Sequence, residues 1–124
     1  IIKEISDCSW LVAQKQPNGF KNTYWTLAIY FDQENASFSR NDFIEQYKLN
    51  GGLGLYAAWL PNYLEPAIED YLLENFGVSR QDQLCPVAEK IQKNLLQFKT
   101  NFEEDEFNIE INALRKTIQH FSEK

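Results

Sequence analysis

The C-terminal segment constrains the fold most. Phe107, Ile111, Leu114, Ile118 and Phe121 recur at alternating spacings of four and three, which aligns them along one side of a helix. A helix with a single apolar stripe must lay that stripe on a second layer. Residues 23 to 31, TYWTLAIYF, supply a candidate for it. The run is aromatic and β-branched, and too short between its turn signals for a helix, so it reads as a largely buried strand. Together the two segments predict a small α/β or α+β domain, with helices packed on one short sheet.

Glycine and proline divide the rest. QPNGFKN carries the turn chemistry of Pro17, Asn18 and Gly19, after a short apolar stretch at Trp10-Leu11-Val12. Ser39 with Asp42 resembles a capping box, and Phe43, Ile44 and Tyr47 share a helical face. Gly51 and Gly52 stop that helix, and LYAAWL, residues 55 to 60, reads as a second strand ended by Pro61. Pro66 opens a short helix that Gly77 stops, with Ile68, Leu72 and Phe76 aligned. Residues 78 to 84 read as a polar loop. Pro86 suits a first helical turn, and Val87, Ile91, Leu95 and Phe98 continue as a stripe, with a short strand near Leu96 to Lys99 as a further expectation. Asn101 and Glu104 suit the cap of the last helix, and the acids Glu103 to Glu106 complement its positive end. No repeat interrupts the order, so residues 1 to 124 read as a single domain.

Charge excludes some partners. The net charge of -6 argues against nucleic acid or an anionic membrane surface, both of which need clustered Lys and Arg. Lys90, Lys93 and Lys99 are interleaved with apolar residues and Glu89, as on a solvated face. No apolar run approaches the ~18 residues of a membrane span. Cys8 and Cys85 stand in no metal spacing. The spacing leaves a disulfide open, and the absence of a secretion signal favours two reduced thiols in a cytoplasmic protein. The chain has no Met and opens on Ile1-Ile2, which leads us to expect a processed product or a piece of something longer.

Four groups of residues invite a chemical reading. In NGGLGLYAAW, residues 50 to 59, three glycines fall close together, yet the order is helix, glycines, strand. A dinucleotide fingerprint needs strand, glycines, helix, and a P-loop needs a Lys-Ser or Lys-Thr pair, so a turn is expected. His120, the single histidine, sits near a helix C-terminus, where the dipole favours its protonated form. Glu103 to Glu106 spread over different helix faces and do not converge on a metal. The aromatics Tyr24, Trp25, Tyr30, Tyr56, Trp59 and Tyr63 are the remaining group. Aromatics at strand spacing are usually core. Tyr56, Trp59 and Tyr63, however, flank a strand end, where open sheets meet ligands. These three are the candidate substrate-binding residues. No catalytic, cofactor-binding or metal-binding residue is assigned within the chain.

Several segments in order resemble the C-terminal domain of DegT-type sugar-nucleotide aminotransferases, which are fold-type-I enzymes dependent on pyridoxal phosphate (PLP). Trp10-Leu11, the turn Pro17-Asn18-Gly19 and Thr23-Tyr24-Trp25-Thr26 match the entry to that domain. SRNDFIEQYKLNGGLGLYAAW resembles its unit of an Arg-x-x-Phe helix, a glycine and a strand. LCPVAEKIQKNLLQFKTN resembles its Pro-Val-Ala-Glu-Lys helix and the extended segment that follows. The resemblance spans nearly the whole chain, and PVAEK is its most specific part. It implies the small C-terminal domain of the aspartate-aminotransferase type, on a mostly antiparallel sheet. It also implies an amino-group transfer, usually from glutamate, to a nucleotide-linked keto-sugar, in a homodimer whose sites lie at the subunit boundary. The family's Schiff-base lysine and most cofactor contacts belong to a large domain upstream, so this chain alone is expected to be inactive and to bind no PLP covalently. Many members carry a His-Tyr-x-Pro-Leu-His-like run after the second strand. Here the aligned run is Tyr56-Ala57-Ala58-Trp59-Leu60-Pro61-Asn62-Tyr63, without His, which leaves the sugar open. The rival readings are a freestanding acidic protein-interaction module and a regulatory protein with a degenerate aminotransferase fold.

Overall fold

A computed structural model of the chain describes residues 1–79 and 84–123. Those residues form a small α+β domain, with four α-helices and a four-stranded sheet in which every pairing is antiparallel. The strands are β1 (Leu11–Ala13), β2 (Thr26–Phe31), β3 (Leu55–Ala57) and β4 (Leu95–Lys99), in the spatial order β1-β2-β4-β3. The helices are α1 (Arg40–Leu49), α2 (Pro66–Phe76), α3 (Pro86–Asn94) and α4 (Glu104–Ser122). Short 3-10 turns cover Ile2–Ile5 and Asn62–Leu64. The chain divides into two compact units, residues 1–57 with 94–124, and residues 58–93.

The first unit holds the core. Successive strand side chains point to opposite faces, and β2 follows that alternation: Leu27, Ile29 and Phe31 are buried, and the residues between them are half-buried. The strand expected as largely buried is therefore buried on one face, and it begins at Thr26 instead of Thr23. Register places Phe31 opposite Leu11, Ile29 opposite Leu96, and Leu27 opposite Phe98, so the buried residues of three strands fall in rows. Phe43 and Tyr47 of α1 and Ala113 and Leu114 of α4 join these rows in one buried cluster. Trp10 lies edge-on to Phe38 at 4.8 Å and to Phe43 at 5.7 Å, and Phe38 stacks on Phe121 at 3.7 Å. Each such pair adds roughly 0.5–1.5 kcal/mol beyond its area term.

The local signals behave as the chemistry requires. Ser39 and Asp42 form a reciprocal capping box on α1. Asn50 ends α1, and Gly51 follows with φ 94°. Pro66 opens α2 and Gly77 closes it, while Pro86 opens α3. Arg40, at the start of α1, donates from Nε and Nη2 to the Leu95 carbonyl at 3.0 and 2.8 Å, fixing the helix to the first residue of β4.

Other boundaries differ from the expectation, and one expected strand is found. The apolar stripe from Val87 to Phe98 is not one helix: α3 ends at Asn94, and Leu95 and Phe98 belong to β4. The short strand expected near Leu96 to Lys99 is the structure's β4, which lies between β2 and β3 and bonds to both. Leu96 and Phe98 alternate with half-buried neighbours there, so period two wins over the helical spacing. The strand expected over residues 55 to 60 ends at Ala57. The apolar stretch at Trp10-Leu11-Val12 overlaps edge strand β1, Leu11–Ala13, for which the sequence carries no strand signal of its own. The cap of α4 is Glu103 with Glu106, two places on from the expected pair, Asn101 and Glu104. The polar loop expected over 78 to 84 lies partly outside the described residues.

The second unit contains α2, α3 up to Lys93 and the turn at Asn62–Leu64. None of its described side chains is buried.

Candidate functional site

The three candidate residues fall in different settings. Tyr56 sits on β3, opposite Gln97 of β4, which is itself opposite Ala28 of β2. This row lies on the face away from Leu27, Ile29, Leu96 and Phe98. Tyr56 is therefore displayed on the open side of the sheet, 45% exposed, in line with Gln97. Gln14 joins the same region from β1's end: its side-chain oxygen accepts from the Ala28 N–H at 3.2 Å.

Trp59 and Tyr63 belong to the second unit. Trp59 is 86% exposed, an indole left in water. Tyr63 is half-buried, and its hydroxyl is fully engaged. It donates to Glu89 Oε1 at 2.6 Å and accepts from the Cys85 N–H at 3.2 Å. Partial burial and the Glu89 carboxylate push its phenol up to about 12. Tyr63 thus clamps the 3-10 turn to the start of α3, where the Cys85 carbonyl accepts the Glu89 N–H at 3.0 Å. A second tie, from Gln92 Nε2 to the Ala58 carbonyl at 3.1 Å, holds the same segment.

The aromatic group singled out in the sequence supplies no core residue. Trp25 is 93% exposed, and Tyr24 and Tyr30 are half-buried. The core aromatics are Trp10, Phe31, Phe43, Tyr47 and Phe98. Tyr24 carries a feature that composition could not announce: its φ is 49°, in the left-handed region that a tyrosine rarely adopts. The Thr100 hydroxyl holds it there, sharing its proton between the carbonyls of Tyr24 at 2.6 Å and Trp25 at 2.9 Å. Beside it a cavity of about 420 Å³ is lined by Tyr24, Leu27, Lys99, Thr100 and Phe107 together with the first three residues.

The other chemical candidates are placed as follows. Among the described residues no group of three His, Cys, Asp or Glu side chains is placed to hold a metal. Cys8 and Cys85 are both free thiols, and burial pushes the Cys8 thiol up. His120 lies in the last turn of α4 with its ring edge-on to Phe121 at 4.8 Å. No helix among the described residues is long and apolar enough to cross a membrane. Every described lysine is exposed except Lys99, which is half-buried with its ammonium 4.9 Å from the centre of the Phe102 ring. Comparison with protein-family models, with curated proteins and with solved structures finds no match to this chain.

Proposed function

We propose that the chain is the C-terminal small domain of a PLP-dependent sugar-nucleotide aminotransferase of the DegT type. In this reading it forms part of the wall of a substrate pocket and supports a homodimer, in a cytoplasmic enzyme. The observation that carries the reading is the ordered run of motifs, together with how the fold uses them. The Pro-Asn-Gly turn precedes β2, the Arg-x-x-Phe helix precedes the glycines and β3, and the PVAEK helix leads directly into β4. An antiparallel α+β sheet is what such a small domain requires.

The residues present do not fit the covalent site of PLP. A Schiff-base lysine needs a desolvated pocket, and the described lysines are exposed or, for Lys99, held over Phe102. The chain's own contribution is therefore binding and orientation. Tyr56, in the first unit, and Trp59, in the second, each present a ring that a nucleotide base or sugar face can stack on, and Tyr63 holds the turn that follows Trp59.

The test is kinetic and uses the native product that contains this chain. Trp59→Ala and Tyr56→Ala are expected to raise KM for the nucleotide-sugar several-fold with kcat little changed, as loss of uniform binding does. Unchanged KM in both variants would remove these residues from the site. A second reading, an acidic protein-interaction module, draws on the exposure of Tyr71, Leu73 and Phe76 on α2 beside Glu69, Asp70 and Glu74. A native product that lacks a PLP-binding lysine and transfers no amino group would favour it.

A further inference from the structure

Glu110 sits midway along α4 and is 5% exposed. A carboxylate taken out of water must find donors, and this one finds them on α1 and on the glycine loop. The Leu53 backbone N–H donates to Oε1 at 2.9 Å and to Oε2 at 3.1 Å. The Tyr47 hydroxyl donates to Oε2. Two helical turns further along α4, on the same face, Thr117 Oγ1 accepts from Asn50 Nδ2 at 2.9 Å and donates to the Ala113 carbonyl at 2.8 Å. The loop from Asn50 to Gly54 is thus held at both ends by one helix.

The glycines make the approach possible. A Cβ on Gly52 would fall on the ring of Tyr47. A Cβ on Gly54 would fall on the ring of Phe102 and lie 3.2 Å from the Glu110 carboxyl carbon. Leu53, between them, sends its amide to a buried acid while its side chain stays 85% exposed. Immediately after the loop, the Gly54 carbonyl accepts from the Lys99 N–H at 2.7 Å, and the β3–β4 register of Leu55 with Phe98 follows. A slip of one residue in that register would exchange the faces of Leu55 and Tyr56.

We propose that Glu110 is a positioning residue: by fastening the Leu53 amide it fixes the Asn50–Gly54 loop, and through it the start and register of edge strand β3. That Tyr56, delivered by this strand, meets a substrate rests on the function proposed above; the fastening itself does not. Gly54 leaves no room for a side chain on the side where the acid stands, and Gly52 leaves none beside the Tyr47 ring that donates to it.

Amide hydrogen exchange on the intact chain tests it without any substrate. In the unaltered protein the Leu53 amide is expected to exchange slowly, although its side chain is exposed. Glu110→Ala should speed Leu53 exchange by about ten- to a hundred-fold, the loss of a hydrogen bond to a charged group, while amides of the β2–β4 ladder keep their rates. Glu110→Gln should restore most of the protection, because its amide oxygen still accepts from Leu53 and its NH2 can donate to Tyr47. If the alanine variant does not fold, Glu110→Asp carries the same readout, since its shorter side chain withdraws the carboxylate from Leu53. A Leu53 amide that exchanges as fast in the unaltered protein as any open loop amide would overturn the proposal. So would a variant in which all amides accelerate equally.

Discussion

The two units of the chain spend their apolar residues in opposite ways. In the first, Ile29, Phe31, Phe43, Leu96, Phe98 and Leu114 are all but inaccessible to water. In the second, residues 58–93, Trp59, Tyr71, Leu73, Phe76 and Val87 are all more than half exposed. The difference shows what specifies each. The first unit is specified by burial between residues distant in sequence, as in the pairing of β2 with β4. The second relies on local devices, Pro66 and Gly77 at the ends of α2 and Pro86 at the start of α3, together with the longer-range Tyr63–Glu89 clamp.

Paired truncations probe the contrast most strongly. Phe98→Ala, in the first unit, should cost about 3–5 kcal/mol of unfolding free energy, the usual cost of emptying a buried aromatic site. Phe76→Ala, on exposed α2, should stay within about 0.5 kcal/mol. Chemical denaturation of the two variants measures both, and a large effect at Phe76 would break the comparison. Arg40→Ala comes next. It removes two hydrogen bonds to the Leu95 carbonyl and should cost roughly 1–2 kcal/mol in the same experiment.

The pH prediction concerns the second unit. The Tyr63 phenol is raised from an ordinary 10.0 to about 12. A raised folded value means that the clamp's contribution is complete below pH 10 and is lost as pH climbs through about 12. Phenolate absorbance should therefore show one half-buried tyrosine titrating late, and Tyr63→Phe should abolish that step. Tyr47 is raised further still, first by burial and then by its bond to Glu110, so its ionisation should accompany unfolding. The smallest effect is expected at the Glu4–Arg115 pair, 2.6 Å apart on the surface of the first unit. Arg115→Ala should leave the thermal midpoint almost unchanged in low salt and entirely so in high salt.

Local structure was legible where the signal is local. Ser39 with Asp42, Pro66, Gly77 and Pro86 each mark an element end that the structure keeps. β4 was legible as a short strand near Leu96 to Lys99, but its central place between β2 and β3 was not, because Leu95 and Phe98 also extend the helical spacing of Val87 and Ile91. The stripe on α4 identified Ile111 and Leu114 as core but passed over Glu110 and Thr117, since polar residues on a buried face carry no hydropathy signal. Of the candidate site, Tyr56 and Trp59 are exposed, whereas the sequence leaves open whether aromatics at strand spacing are core. The commitment of the Tyr63 hydroxyl to Glu89 was not readable, because the two lie far apart in sequence. The strain at Tyr24 depends on Thr100 and was equally hidden.

The central functional claim meets its most direct test in one assay. The native product that contains this chain is purified, loaded with PLP, and given glutamate and a panel of nucleotide-linked keto-sugars. The account predicts amino-group transfer to at least one of them, dependent on the cofactor, and none from the isolated chain. A native product that neither takes up PLP nor transfers the amino group to any sugar of the panel would contradict it.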